Sequence, residues 1–300
     1  MIGNYILSGR LQAIVSTTLS ILISLFLSPF AYLISGSVVA LITLRKGVAF
    51  GLQTIIGSLL VLLVFSVASD LPLELSLAYA LVILLPVWFA STSLRLTELQ
   101  GVLLLTTGLL AISLIIATYI VIDDVASWWQ EWLDIMLEKA VPPEQALHYR
   151  EVLEPASGLI NAMMVAGLML NIVLSVMCAR WWQSKLFNPG AFRKEFYALR
   201  LPVFILPVSG IMVVLVFTLS DSLHGMFRDI LILLMFMYLI QGISSVHRNV
   251  DKYKLSTAWL VSMYILLFVL PQMGLFIACL GVTDVYLCWR KGKTGAGIES

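Results

Sequence analysis

The stretch LSTAWLVSMYILLFVLPQMGLFIACLGVTDVYLCW, residues 255–289, decides how the chain is read. It is apolar nearly throughout, with Pro271 close to its middle. A single helix of that length would run about 50 Å at 1.5 Å per residue, well beyond the roughly 30 Å of a bilayer's hydrocarbon. Proline removes a backbone donor and crowds the preceding turn, so it breaks or kinks a helix. The run therefore reads as a hairpin of two short spans. Residues 11–44, LQAIVSTTLSILISLFLSPFAYLISGSVVALITL, repeat the arrangement with Pro29 at the centre.

Between these hairpins lie six further apolar runs: Val48–Ala68, Leu75–Phe89, Gly101–Ile122, Ala156–Ala179, Val203–Leu219 and Ile230–Val246. The expected fold is an all-α, polytopic transmembrane bundle of about ten spans, forming one integral membrane domain over residues 1–300. Composition agrees: 60% of the 300 residues are hydrophobic and 12% charged, and the mean hydropathy is +1.00. A soluble domain carries about twice that charge. The net charge of +1 gives no reason to expect a nucleic-acid partner. The first apolar run leads into Ser28-Pro29-Phe30 rather than a small-residue cleavage site, so it reads as retained.

Charge sign orients the bundle. With ten spans, fifteen of the eighteen Lys and Arg residues fall on the side of the N-terminus, and only Lys139, Arg150 and Arg228 fall opposite. The positive-inside rule makes the basic side cytoplasmic and places both termini there. The expected location is the bacterial cytoplasmic membrane, with the bilayer itself as the first partner.

Two joints are long. The outer one, Asp123–Pro155, carries Val125, Trp128, Trp129, Trp132 and Met136 on one helical face, with Pro142-Pro143 ending that helix before a second short one. It reads either as a helix lying at the headgroup boundary or as a lid over an outward-facing cavity. The inner one, Arg180–Pro202, holds Trp181 and Trp182, a Pro189-Gly190 turn, and a stripe of Phe192, Phe196 and Leu199 beside Arg193, Lys194 and Arg200. These tryptophans and cations are the expected lipid-interface residues, suited to anionic lipid.

The inner joint carries a family resemblance. Arg180-Trp181-Trp182-Gln183, Phe187-Asn188-Pro189-Gly190, Phe192, Glu195-Phe196 and Leu199-Arg200 resemble the signature of the YybS-like bacterial membrane proteins. Gly281-Val282-Thr283-Asp284 followed by Arg290 is similar to that family's C-terminal pattern. The resemblance implies an integral cytoplasmic-membrane protein. The family is loosely similar to the substrate-binding S components of energy-coupling-factor transporters.

Candidate chemistry is sparse. Ser16, Ser20, Ser24 and Ser28 repeat every four residues on the first span and so share a face. Gly36 with Ala40, Gly47 with Gly51, and Gly158 with Ala162 and Ala166 repeat the small-residue spacing. Such faces serve either packing within the chain or docking of a partner, here a membrane subunit or a second copy. The amides Asn161, Asn171, Gln241 and Gln272, with Gln53, are costly in hydrocarbon unless partnered. They read as interhelical hydrogen bonds or as the lining of a substrate cavity. Pro207 is expected to kink the seventh span. No Asp, Glu, Lys, Arg or His is expected well inside a span, and Asp284 is expected to pair near Arg290. Gly292-Lys293-Thr294 mimics the end of a P-loop, but that motif needs Gly at Leu287. Cys178, Cys279 and Cys288 read as packing residues. No metal set, cofactor site or catalytic constellation is apparent, so no enzyme is expected. The favoured function is a small-molecule transport or substrate-capture subunit energised by a partner. The alternative is a structural or assembly subunit without transport activity.

Overall fold

The computed structural model describes residues 2–26, 32–219 and 222–296. It is all-helical, with no strand among the described residues. In chain order the helices are α1 (Ile2–Ile6), α2 (Arg10–Phe26), α3 (Tyr32–Lys46), α4 (Val48–Ala68), α5 (Leu73–Tyr79), α6 (Leu85–Thr97), α7 (Gln100–Val121), α8 (Val125–Ala140), α9 (Pro143–Phe187), α10 (Ala191–Tyr197), α11 (Ile205–Thr218), α12 (Ser222–Lys252), α13 (Ala258–Val269) and α14 (Met273–Ala296).

Six described helical stretches are long and apolar enough to cross a membrane: Val48–Ala68, Leu73–Thr97, Gln100–Val121, Ala156–Phe187, Leu223–Lys252 and Met273–Arg290. Arg10–Ser24, Ile205–Thr218 and Ala258–Val269 are apolar but shorter. Their outward side chains are those of a protein solvated by hydrocarbon: Phe217 is 85% exposed and Phe268 89%.

Prolines punctuate the helices in three ways. Pro271 lies in the turn between α13 and α14, dividing the 255–289 run. Pro29 lies outside the described residues. Pro86 sits just after a π-turn, Ala80–Leu84, that joins α5 to α6. The wider turn relieves the clash of the ring with the preceding turn, so the helix continues. The expected kink at Pro207 is replaced by a simpler arrangement: α11 begins at Ile205, which puts Pro207 in its first turn, where no intrahelical donor is lost. The expected short second helix of the outer joint is likewise absorbed into α9, a continuous helix of 45 residues.

The chain forms two compact units. Unit 1 is Met1–Thr107 with Leu168–Leu201, and unit 2 is Gly108–Gly167 with Pro202–Ser300. In unit 1, α3 is the central pole: every residue from Ser35 to Leu44 is buried, and α2, α4 and α6 pack on it. Gly36 lets Ser175 of α9 approach, and Gly51 does the same for Thr43. Gly47, at φ 112°, makes the tight α3–α4 turn that a side chain would strain. In unit 2, α12 packs on α11 and α14. Asp229, Leu233, Met237, Gln241 and Ser245 follow one another at four-residue spacing on its buried face.

Candidate functional site

The stripe on α12 begins with a carboxylate. Asp229 is the eighth residue of its helix and its side chain is fully buried. Its Oδ2 accepts from Asn161 Nδ2 at 2.8 Å and from the Tyr119 hydroxyl at 3.1 Å. Its Oδ1 faces Arg228 Nη2 at 3.3 Å. Arg228 also donates to the Gly158 carbonyl, and Trp129 Nε1 donates to Asn161 Oδ1 at 3.4 Å. Two glycines make the space. A Cβ at Gly225 would come within 2.8 Å of the Tyr119 hydroxyl, and one at Gly158 within 3.3 Å of the Arg228 guanidinium.

This cluster bears on the expectation that no ionisable group lies well inside a span: Asp229 is the seventh residue of the membrane-length stretch Leu223–Lys252. Asp229 sits one residue before the apolar run that sequence alone marks out, and the helix starts seven residues earlier than Asp229. The charge is tolerable there because it is paired and hydrogen-bonded; an isolated carboxylate would not be. The sequence carried a signal: Asp229 is in register with Leu233, Met237 and Gln241 on one face.

Three of the four predicted amides belong to unit 2, where Asn161, Gln241 and Gln272 occupy separate places. Asn161 belongs to the Asp229 cluster. Gln241, fully buried, donates to Asp284 Oδ2 at 3.0 Å, and Arg248 donates to Asp284 Oδ1. That second network lies twelve residues further along α12, about 18 Å away. Asp284 thus has Arg248 and Gln241 as partners, a pairing role filled from a neighbouring helix. Gln272 is exposed in the α13–α14 turn. Asn171 belongs to unit 1, where its Oδ1 is buried without a partner among the described residues.

Two serines of the ladder, Ser20 and Ser24, face inward. They are buried and donate back to the Thr17 and Ser20 carbonyls at 2.7 Å each. Ser16 is half-buried, and Ser28 lies outside the described residues. The outward stripe of α2 is instead Leu11, Val15, Leu19 and Ile23. Trp181, Arg193 and Lys194 are exposed as expected for interface residues, whereas Arg200 is half-buried and Trp182 packs beside Gly3 of α1. Pro189-Gly190 forms the expected turn, with Gly190 at φ 90°.

Unit 1 also holds a polar cavity of 220 Å³, lined by Leu44, Leu94, Arg95, Glu98, Arg180 and Gln183. Arg180 grips Glu195 with two bonds, Nε–Oε2 at 2.8 Å and Nη2–Oε1 at 2.6 Å, and donates to Gln183 Oε1 at 2.6 Å. Gln100 donates to the same Glu195 at 3.3 Å. Arg95 donates to the Leu44 carbonyl in the last turn of α3, a favourable place for a cation. In unit 2, an apolar cavity of 370 Å³ opens among α12, α13 and α14, with Val250, Trp259, Met263 and Ile277 in its wall.

At the outer joint, Asp124 caps α8 through Ser127 and Arg150 pairs with Asp134 at 2.7 Å. The hydrogen bonds from Ser127, side chain first and backbone second, hold the Asp124 carboxyl below its ordinary value.

No protein-family model, curated protein or solved structure matches the chain.

Proposed function

We propose that this multi-pass membrane protein is a small-molecule transport or substrate-capture subunit of the bacterial cytoplasmic membrane, energised by a partner. The observation that carries this reading is the buried Arg228–Asp229–Asn161–Tyr119 cluster, on helices apolar enough to cross a bilayer. Ionisable groups within membrane-spanning helices are costly and mark substrate or ion paths. Arg228 is the one cluster partner that sits beside Asp229 in the chain, and its side chain is 30% exposed. A substrate that donates hydrogen bonds or carries positive charge takes its place on Asp229 when Arg228 turns away. With no nucleotide-binding loop in the sequence, the work comes from another subunit. The apolar runs read from the sequence then cross as ten spans with both termini in the cytoplasm, as the charge bias favours. Kinship with the YybS-like proteins, and through them with S components, belongs to the same proposal and rests on the Arg180–Arg200 signature.

The test is purification in native lipid with mass spectrometry of everything retained, for the wild type and for Asp229→Asn. Recovery of a stoichiometric small molecule or an ATPase-bearing subunit, with the small molecule lost from the variant, is the expected result. The chain with lipid alone in both preparations sinks the reading. A stable complex without a transported solute moves it to the assembly alternative.

A further inference from the structure

We propose that the polar cavity of unit 1 is a headgroup site for an aminophospholipid, a lipid bearing both a phosphate and a primary ammonium. Of the ionised groups at the cavity wall, Arg180 is gripped by Glu195 and also feels the charge of Glu98. Arg95 and Glu98, one of each sign, form no ion pair with each other among the described residues, and Glu98 makes no direct bond to Arg180 there. A cavity that presents a separate cation and anion is complementary to a ligand with the two charges reversed. Arg95 meets the phosphate as a planar fork of donors, and Glu98 meets the ammonium. The last turns of α3 and α6 end here, and their carbonyl ends add to the attraction for the ammonium. Gln183, whose carbonyl oxygen is occupied by Arg180, turns its amide toward a phosphate oxygen.

Size and surroundings select a lipid. At 220 Å³ the cavity falls below the roughly 300–1,000 Å³ of ordinary ligand pockets, so it admits a headgroup and little else. Leu96 and Leu99, which bracket Glu98, are 74% and 60% exposed, and Phe187 and Trp181 near the end of α9 are also outward. These are the apolar and aromatic neighbours of a group held at the edge of the hydrocarbon. Glu98 is held at the cavity by a left-handed turn at the end of α6, φ 57°, closed by its own N–H to the Leu94 carbonyl at 2.8 Å. A quaternary choline headgroup cannot donate to Glu98, and a glycerol headgroup has no cation to offer it. The site therefore distinguishes among phospholipids. It stands apart from the transport reading, because it involves none of the Asp229 cluster.

The test is native mass spectrometry of the delipidated full chain, titrated with phosphatidylethanolamine, phosphatidylcholine and phosphatidylglycerol of matched acyl chains. The wild type is expected to hold phosphatidylethanolamine about tenfold more tightly than either competitor. Glu98→Gln is expected to erase that preference, and Arg95→Gln to weaken all three. Both side chains are exposed, and an unchanged melting temperature verifies that each variant is folded. Equal retention of the three lipids by the wild type, or an intact preference in Glu98→Gln, overturns the proposal. Soluble phosphoethanolamine separates the lipid from a free metabolite. Failure to displace the lipid at roughly hundredfold excess supports the lipid, whereas displacement at equal concentration overturns it.

Discussion

Asp229 shows why a buried charge is held by several residues at once. Asn161, Tyr119 and Arg228 all donate to it; if the carboxylate goes, Asn161 and Tyr119 lose this acceptor and Arg228 keeps only the Gly158 carbonyl. Asp229→Leu is expected to destabilise the protein by roughly 3 kcal/mol or more, the cost of breaking a buried pair from one side. Asp229→Asn keeps one acceptor and is expected to lose less. Thermal unfolding in detergent orders the two, and equal melting temperatures for both variants and the wild type contradict the account. Asp124 gives a smaller effect with a defined sign. Its carboxyl is held below the ordinary value by Ser127, so its cap on α8 is present at neutral pH and is lost as pH falls through that lowered value. Protection of the Ser127 amide, its exchange rate relative to the unstructured rate at the same pH, is expected to fall over that acid range in the wild type and not in Asp124→Asn. Asn161 was legible as a polar residue needing a partner, but Asp229 was not. Its position next to Arg228 made both look like part of a solvent-facing joint, and only the four-residue register with Leu233 and Met237 placed it inward.

Among the elements, α12 and α14 depend on two close approaches. Gly242 lies against the Ile277 carbonyl, and Gly281 against the Tyr238 carbonyl. Small residues at both crossings let the backbones touch, which is how helices associate where hydrocarbon offers no hydrophobic drive. Gly242→Val and Gly281→Val are each expected to cost about 1–3 kcal/mol through overpacking. Gly210→Ala on α11 meets nothing within 4 Å and is expected to be neutral or to stabilise by up to about 1 kcal/mol from helix propensity. Chemical denaturation of the three variants decides it, and a Gly210→Ala loss as large as the other two contradicts this packing. Helix positions were readable from hydrophobic runs, and the break at Pro271 from proline chemistry. Pro207 and Pro86 were harder. A proline's effect depends on where the helix starts and on whether a π-turn relieves it, and neither is written in local composition.

For the whole molecule, the sequence supports an all-helical membrane protein because the solvent it meets is hydrocarbon, and that demands apolar surface along every crossing. The division into two units was not legible. It depends on residues 1–107 packing with residues 168–201, a long-range choice that periodicity does not carry. The same holds for the polar cavity, which unites Leu44, Arg95 and Arg180 from three distant segments. What remains most exposed to test is the topology, because the six long helices alone leave the shorter ones to be counted. Cys178, Cys279 and Cys288 are first replaced by alanine. Single cysteines are then introduced as Arg10→Cys, Ala140→Cys and Lys293→Cys, and labelled in intact cells with an impermeant maleimide. Ten crossings predict labelling from outside at position 140 alone. Labelling from outside at position 10 or 293 contradicts the ten-span bundle and the orientation drawn from its charges.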